Sequence, residues 1–503
     1  MVKSVVAEDT RLQSTEDGLF QAAVPAQVGL VIGKLSSSLD KGFVFELVPT
    51  PPNDAGQPAS SLSEGGKDGR KKGSKAKIHV DTSLLVIDRD WVAEHARQVS
   101  RLLLGGVNVI GIYIWATENS FKTSTTLLWQ TVKVVADAAP CYESDLDERL
   151  LIHISYSPRR WSCRNCMLGP TFSSSGLKPC DFKMGKVLTS LQHFKCMYNF
   201  EMRLPIFCTD ASKAWSFGDA LRSGIALHAK ELKEAKALID GNLVVSDRPS
   251  TSHATHEVEL LLPFSKDATK EARNTEEVMG VAVIRGSIFS SAYLCPKEPL
   301  SQVISDIKVD IINSLRSRVD IIFDVSEEED SELKVDDEQK FESVASSEKP
   351  AHKLILHDLR KPCNIFFPRR ILVPWLPGIC ICDYLQPSDS IQDLKDQWKE
   401  LLSMDAPSDL SMILEPEAEA EGTSLSAKSF WDLTHDNTKS ESDGSQKKKV
   451  KDSNHSSETK SQNFNIVIAI VVLILSIMMG LVLMFLTETW WFFVNKFGDK
   501  CKG

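Results

Sequence analysis

Cys163 and Cys166 form the one Cys-x-x-Cys in the chain. Structural zinc needs four ligands, usually supplied as two such pairs. Cys180 and His193 could complete a set, but no spacing ties them to the first pair. A thioredoxin-like role needs the pair at a helix start in a βαβ setting, and the flanking Arg159, Arg160 and Trp161 do not offer one. The pair therefore reads as two ordinary thiols. Cys380 and Cys382 alternate along an apolar run, so they share a strand face and read as small buried residues. A cysteine nucleophile requires a base beside it. Cys141 with His153 is one conceivable pair, but with 11 histidines such pairs arise by chance. His95 reads as a packed or capping histidine, and His253 and His256 read as exposed in a polar loop. There is no G-x-x-x-x-G-K-[ST] loop for phosphate. No catalytic residue, metal or cofactor is expected.

Residues 366–377 interleave aromatic and aliphatic residues with Arg369, Arg370 and three prolines. An edge strand with tight turns would look like this. So would a docking edge, where a partner adds a strand or buries Trp375 beside the two arginines. Arg369, Arg370 and Trp375 are accordingly the candidate partner-docking residues.

The elements around these positions mix strands with helices. Apolar, β-branched runs at 28–35, 42–49, 80–86, 107–115, 150–157 and 195–207 predict strands. Helical spacing at Val92, Ala96, Val99 and Leu103 predicts a helix over 88–104, capped by Asp88 or Asp90 and stopped by Gly105 and Gly106. Further helices are predicted at 118–139 and 216–240. This order implies a first α/β unit over 24–240, an α/β or α+β sandwich. A second small α+β unit follows over 254–403, with strands at 258–263, 278–293, 371–374 and 379–384 and helices at 299–323 and 390–404. It is either a separate domain or an extension of the first sheet. Three stretches read as disordered: a Gly/Ser/Lys-rich insertion at 53–76, an acidic linker at 324–350, and a Ser/Glu/Lys-rich tether at 405–463.

Residues 466–486, from Ile466 through Leu475 and Gly480 to Leu486, carry no charge. At helical rise they span ~31 Å, against ~30 Å of hydrocarbon. Their Leu, Ile, Val and Phe residues favour insertion by very roughly 5–9 kcal/mol. Trp490 and Trp491 follow at interfacial depth. A transmembrane helix is expected. Its late position and the absence of an N-terminal apolar leader imply a tail anchor, with the preceding bulk in the cytosol. The odd count of 11 cysteines, without framework spacing, suits a reducing compartment. A net charge of −10 argues against nucleic acid as a partner. A vesicle-fusion role would need an apolar heptad before the span, and the tether has none.

The stretches 91–111 and 224–242, and 370–384 with its Val-Pro-Trp-Leu-Pro core, resemble the odorant response abnormal protein 4 family. The strand holding Gly29 and Gly33 and the C-terminal span complete the match. The resemblance implies a single-pass protein of the endoplasmic reticulum membrane that helps membrane receptors mature and reach their destination. It also implies two kinds of protein partner: a ubiquitin-fold-modifier-specific protease, recruited to that membrane, and client receptors. A weaker resemblance, at the level of fold, is to MPN (JAB1-like) domains. Where those place two zinc-binding histidines, this strand has Ile114 and Ala116. An MPN-like unit here would be a scaffold, since a zinc hydrolase of that class needs the imidazoles. The leading expectation is a non-catalytic, membrane-anchored adaptor. The alternative is a membrane-tethered, isopeptidase-like hydrolase with a site that its motifs do not reveal.

Overall fold

The structure is a computed structural model that describes residues 2–63, 84–141, 148–169, 176–207, 217–245, 255–263, 278–335, 367–386, 389–417 and 424–429. The chain starts with strand β1 (Ser4–Glu8) and helix α1 (Asp9–Ala22), then the hairpin β2 (Gln27–Ser36) and β3 (Lys41–Pro49). A short ribbon follows, β4 (Ser60–Ser63) with β5 (Leu84–Ile87). Helix α2 (Arg89–Leu102) leads into β6 (Asn108–Trp115), α3 (Glu118–Thr123) and α4 (Thr125–Ala138). Strands β7 (Glu148–Tyr156), β8 (Arg159–Met167) and β9 (Leu177–Gly185) complete a closed barrel in the order β1-β3-β2-β6-β7-β8-β9.

Strands β2, β3, β6 and β7 are largely apolar on both faces because both are covered. The inward face packs Val31, Val44, Ile110, Tyr113 and Ile152 with Leu12 and Leu19 of α1. The outward face packs Leu30, Ile32, Ile112 and Ile114 against α2 and α4. The Asp88 side chain accepts the Trp91 amide and so caps α2. Periodicity predicts one helix over 118–139. The structure breaks it at Ser124, whose hydroxyl accepts the Leu85 amide of β5 at 3.1 Å.

A second sheet begins with β10 (Gln192–Phe207). Helix α5 (Phe217–Glu234), β11 (Lys236–Ile239), β12 (Asn242–Leu243), β13 (His256–Leu261) and β14 (Val278–Leu294) follow, then the long helix α6 (Leu300–Val335). The sheet order is β12-β11-β13-β10-β14-β17, where β17 is Ser424–Ser429. Helices α5 and α6 cover one face, with Leu221, Ile225, Val303, Ile307, Ile311 and Leu315 in the core. The hairpin β15 (Arg369–Leu376) and β16 (Ile379–Leu385), with helix α7 (Ile391–Leu402), joins neither sheet. Its apolar residues, Ile371, Val373, Ile381 and Trp398, pack into the barrel's outer core.

The architecture is a mixed α/β fold, and it revises the boundaries read from sequence. The first unit does not start at 24, because β1 and α1 supply a barrel strand and its inner cover. Residues 192–240 belong to the second sheet, since β10 pairs with β14 along its whole length. The expected 254–403 unit is divided. Its part up to α6 builds the second sheet, and its hairpin and α7 pack on the barrel. Within the expected insertion at 53–76, Ser60–Ser63 is a strand, while 64–76 lies outside the described residues. Helix α6 runs to Val335, into the expected acidic linker, of which 336–350 is outside the described residues. The expected tether starts as packed chain, with Ile413 and Glu417 buried and β17 paired to β14. Residues 430–463 and the predicted span 466–486, with Trp490 and Trp491, also lie outside the described residues. Among the described residues, no helix is long and apolar enough to cross a membrane.

Candidate functional site between the barrel and the second sheet

Buried ion pairs made by Lys34, Arg370 and Arg318 join the lobes. From β2, the Lys34 ammonium donates to Asp306 of α6 and to the Tyr293 carbonyl at 3.0 Å, and sits 3.2 Å from Glu298. Burial alone would pull the Lys34 pKa down, but Asp306 and Glu298 outweigh it and hold it above the ordinary lysine range. From β15, Arg370 grips Asp310 of α6 with two parallel bonds of 2.8 Å and donates to the Phe289 carbonyl at 3.0 Å. From α6, Arg318 donates to both oxygens of Glu417 at 2.7 and 2.8 Å. The Glu417 carboxylate also accepts the amides of Phe289 and Arg370. The forked Arg370–Asp310 pair fixes orientation as well as charge.

The strand edge that looked like a docking edge is therefore occupied by the chain itself. Leu372 of β15 exchanges both backbone hydrogen bonds with Leu414, at 2.8 and 2.9 Å. Arg370 is 2% exposed, with its guanidinium held by Asp310 and the Phe289 carbonyl and its backbone amide by Glu417, so its side chain is turned into the fold. Its charge reads on the sequence as surface, but its counter-charge comes from a helix 60 residues away. Trp375 is half-buried against the barrel's outer core. Of the three candidates, only Arg369 is exposed, and it lies 3.4 Å from Glu415.

Beside the network lies a cleft of about 340 Å³ between the C-terminal end of α2 and α6. Arg97 and Arg101 line one wall, and Asp306, Asn313, Arg316 and Asp320 the other. The Gly105–Gly106 turn forms its floor, at φ +59° and +86°. A Cβ on Gly105 would lie 1.9 Å from the Ser291 carbonyl, and one on Gly106 would lie 2.3 Å from Asp306. Only glycine allows this left-handed turn to meet the second sheet so closely.

The sequence-derived chemical candidates are scattered. Cys163 and Cys166 are three apart on β8, so they face opposite ways: Cys163 into the barrel and Cys166 into the outer core. They cannot ligate one ion. Among the described residues, no group of three His, Cys, Asp or Glu could hold a metal. Ile114 and Ala116 are fully buried. His153 donates to the Ala116 carbonyl at 3.1 Å and stacks on Phe121, while Cys141 lines the cleft. Burial pushes the Cys141 thiol up, and Cys382 up to about 11, so both stay protonated. Cys380 and Cys382 do share a face, within the outer core. His95 donates to the Leu401 carbonyl at 2.8 Å and meets the Thr50 hydroxyl, tying α2 to α7. His256 departs from its expected exposure. Parallel pairing of β13 with β10 sets it on Phe194, hydrogen-bonded to Asp240 at 2.6 Å, while His253 lies outside the described residues.

Sequence reasoning missed Lys34, Asp306, Asp310, Arg318 and Glu417. The one signal was charge at core-facing positions of α6: Asp306 neighbours Ile307, and Asp310 neighbours Ile311. What charge on a core helix meets across the fold is not written in its spacing.

Residues 29–413 match the family described as Odorant response abnormal 4-like. The Homo sapiens protein odr-4 homolog is 25% identical over 433 residues, which are 81% of this chain and 85% of that protein. The Mus musculus homolog is 24% identical over 401 residues, 75% of this chain and 78% of that protein. The Dictyostelium discoideum homolog is 24% identical over 393 residues, 76% of each. Among solved structures, UfSP from C. elegans aligns at a TM-score of 0.37 and 7% identity, over 84% of this chain and 61% of that one.

Proposed function

This chain belongs to the Odorant response abnormal 4-like family, and from that premise we propose a membrane-anchored adaptor that assists the folding, trafficking or localisation of membrane receptors. The family match across the folded part is the observation that carries this reading. On it, the span 466–486 holds the chain in the endoplasmic reticulum membrane with the folded part in the cytosol. The barrel serves as an MPN-like scaffold, with Ile114 and Ala116 where a hydrolase would keep its histidines. The protein recruits a ubiquitin-fold-modifier-specific protease and brings it to client receptors.

The ionic network supports an adaptor over an enzyme. Its charges are buried and paired with one another, which suits holding lobes in a fixed geometry. Leu414 already pairs with β15 at Leu372, so docking of the protease at this edge would fall to the exposed Arg369 and the half-buried Trp375. The test is affinity capture of the full-length chain from detergent-solubilised membranes. Recovery of the modifier-specific protease with the chain is expected. Capture that yields receptors or other proteins but never the protease would overturn recruitment. Deleting 466–486 should move the chain to the soluble fraction; retention on membranes would overturn the anchor.

A further inference from the structure

Strand β9 changes partners midway. Residues 177–180 pair with β8, with Cys180 directly opposite Cys163. From Asp181 onward β9 runs beside β1 and closes the barrel. Opposed residues on antiparallel strands hold their Cα atoms about 4.5 or 5.5 Å apart. Both spacings lie within the range that a disulfide bridges without moving backbone. The side chains share a face, since both pack with the barrel's inner cluster, and the Cys180 thiol donates to the Val2 carbonyl at 3.5 Å. Cys163 is buried, while Cys180 is only half-buried, so one sulfur of the pair is reachable from solvent. Cys166, on the opposite face of β8, is turned away from this contact.

We propose that Cys163 and Cys180 are a reversible redox-modification site, converted to a disulfide by low-molecular-weight disulfides of the glutathione type. The neighbouring Cys163 thiol holds the Cys180 thiol below its ordinary range, whereas Cys180 and burial hold Cys163 well above its own. Cys180 therefore acts first, as the thiolate. Its sulfur attacks glutathione disulfide, breaking that S–S bond, forming a mixed disulfide and releasing one glutathione thiolate. The Cys163 sulfur then attacks the Cys180 sulfur of the mixed disulfide. The Cys163–Cys180 bond forms, the second glutathione leaves as thiolate, and the thiol protons of Cys180 and Cys163 end on the two glutathiones. Two electrons pass from the protein thiols to glutathione disulfide. The bond staples β8 to β9 at the point where β9 turns to β1, at the seam of the barrel.

The test exposes the purified full-length chain to mixtures of reduced and oxidised glutathione, quenches free thiols by alkylation, and reads intact mass and linked peptides. The wild type should lose two hydrogens, with Cys163 and Cys180 in the linked peptides, and reduced glutathione should reverse it. C166S should behave as the wild type. C163S should instead accumulate one glutathione on Cys180, and C180S should give neither product. Circular dichroism of each variant checks that the barrel is folded. If C163S does not fold, the linkage mapped in the wild type and C166S decides alone. A wild-type chain that alkylates at both residues after oxidation would overturn the proposal. So would a bridge mapped to Cys166 or Cys141, or a persistent glutathione adduct on wild-type Cys180.

Discussion

Arg370 and Asp310 meet where water does not reach, and that sets the cost of separating them. Replacing Asp310 with alanine leaves a buried guanidinium without its counter-charge. The expected loss is about 3–5 kcal/mol, read as a lower denaturant midpoint. Replacing both partners with apolar residues, D310L with R370M, should cost less than D310A alone, because the uncompensated charge goes too. Asp383 offers a second test. Burial lifts its carboxyl to about 6, against the pull of the Trp398 indole N–H and the Tyr384 amide. Above that pH, folding holds a desolvated carboxylate. As pH falls, the folded state takes up a proton first, while the unfolded chain waits until about pH 4. This residue's contribution to stability therefore rises between about pH 7 and pH 4. Wild type measured against D383N should gain stability over that window; a flat difference would reject the shift. Arg370 was visible in the sequence as a basic residue beside prolines and tryptophan. Asp310, which decides whether it is surface or core, lies far along the chain.

At the scale of elements, the Gly105–Gly106 turn couples α2 to the second sheet. The Gly105 carbonyl accepts the Tyr293 amide at 3.2 Å, and the missing side chain leaves room for Ser291. G105A adds both left-handed strain and overlap with backbone, and should cost about 2–4 kcal/mol in equilibrium unfolding. An alanine tolerated at wild-type stability would mean that the turn is not built as described. Strands and helices with clear periodicity, such as β2, β3, α2, β6 and α7, stand close to where their patterns put them. β1, β8 and β9 were not seen. β8 and β9 are polar, Arg159–Met167 and Leu177–Gly185, because their outer positions face solvent over much of their length. Their pairing comes from barrel closure and not from their own propensity.

At the scale of the molecule, the hairpin, α7 and Glu417 return the chain from the second sheet to the barrel, and the buried ion pairs cross between the lobes. One cooperative transition is expected. Trp91, Trp129, Trp375 and Trp398 pack in or against the barrel's outer core and Trp115 in its inner one, so these report the barrel by fluorescence, while far-ultraviolet circular dichroism reports both lobes. The two denaturation curves should superimpose. A separate, earlier change in ellipticity would show the second sheet unfolding alone. The sequence by itself determined the mixed α/β character, most elements and the family, since these rest on local periodicity and motif order. It also supplied the expectation of the span at 466–486. Only tertiary structure decided that the barrel closes through an N-terminal strand, that residues after 404 form packed core, and that Arg370 lies inside. Those facts depend on pairings between residues far apart in the chain. A local pattern can report that a residue is charged or a strand apolar, but not which distant partner makes it buried.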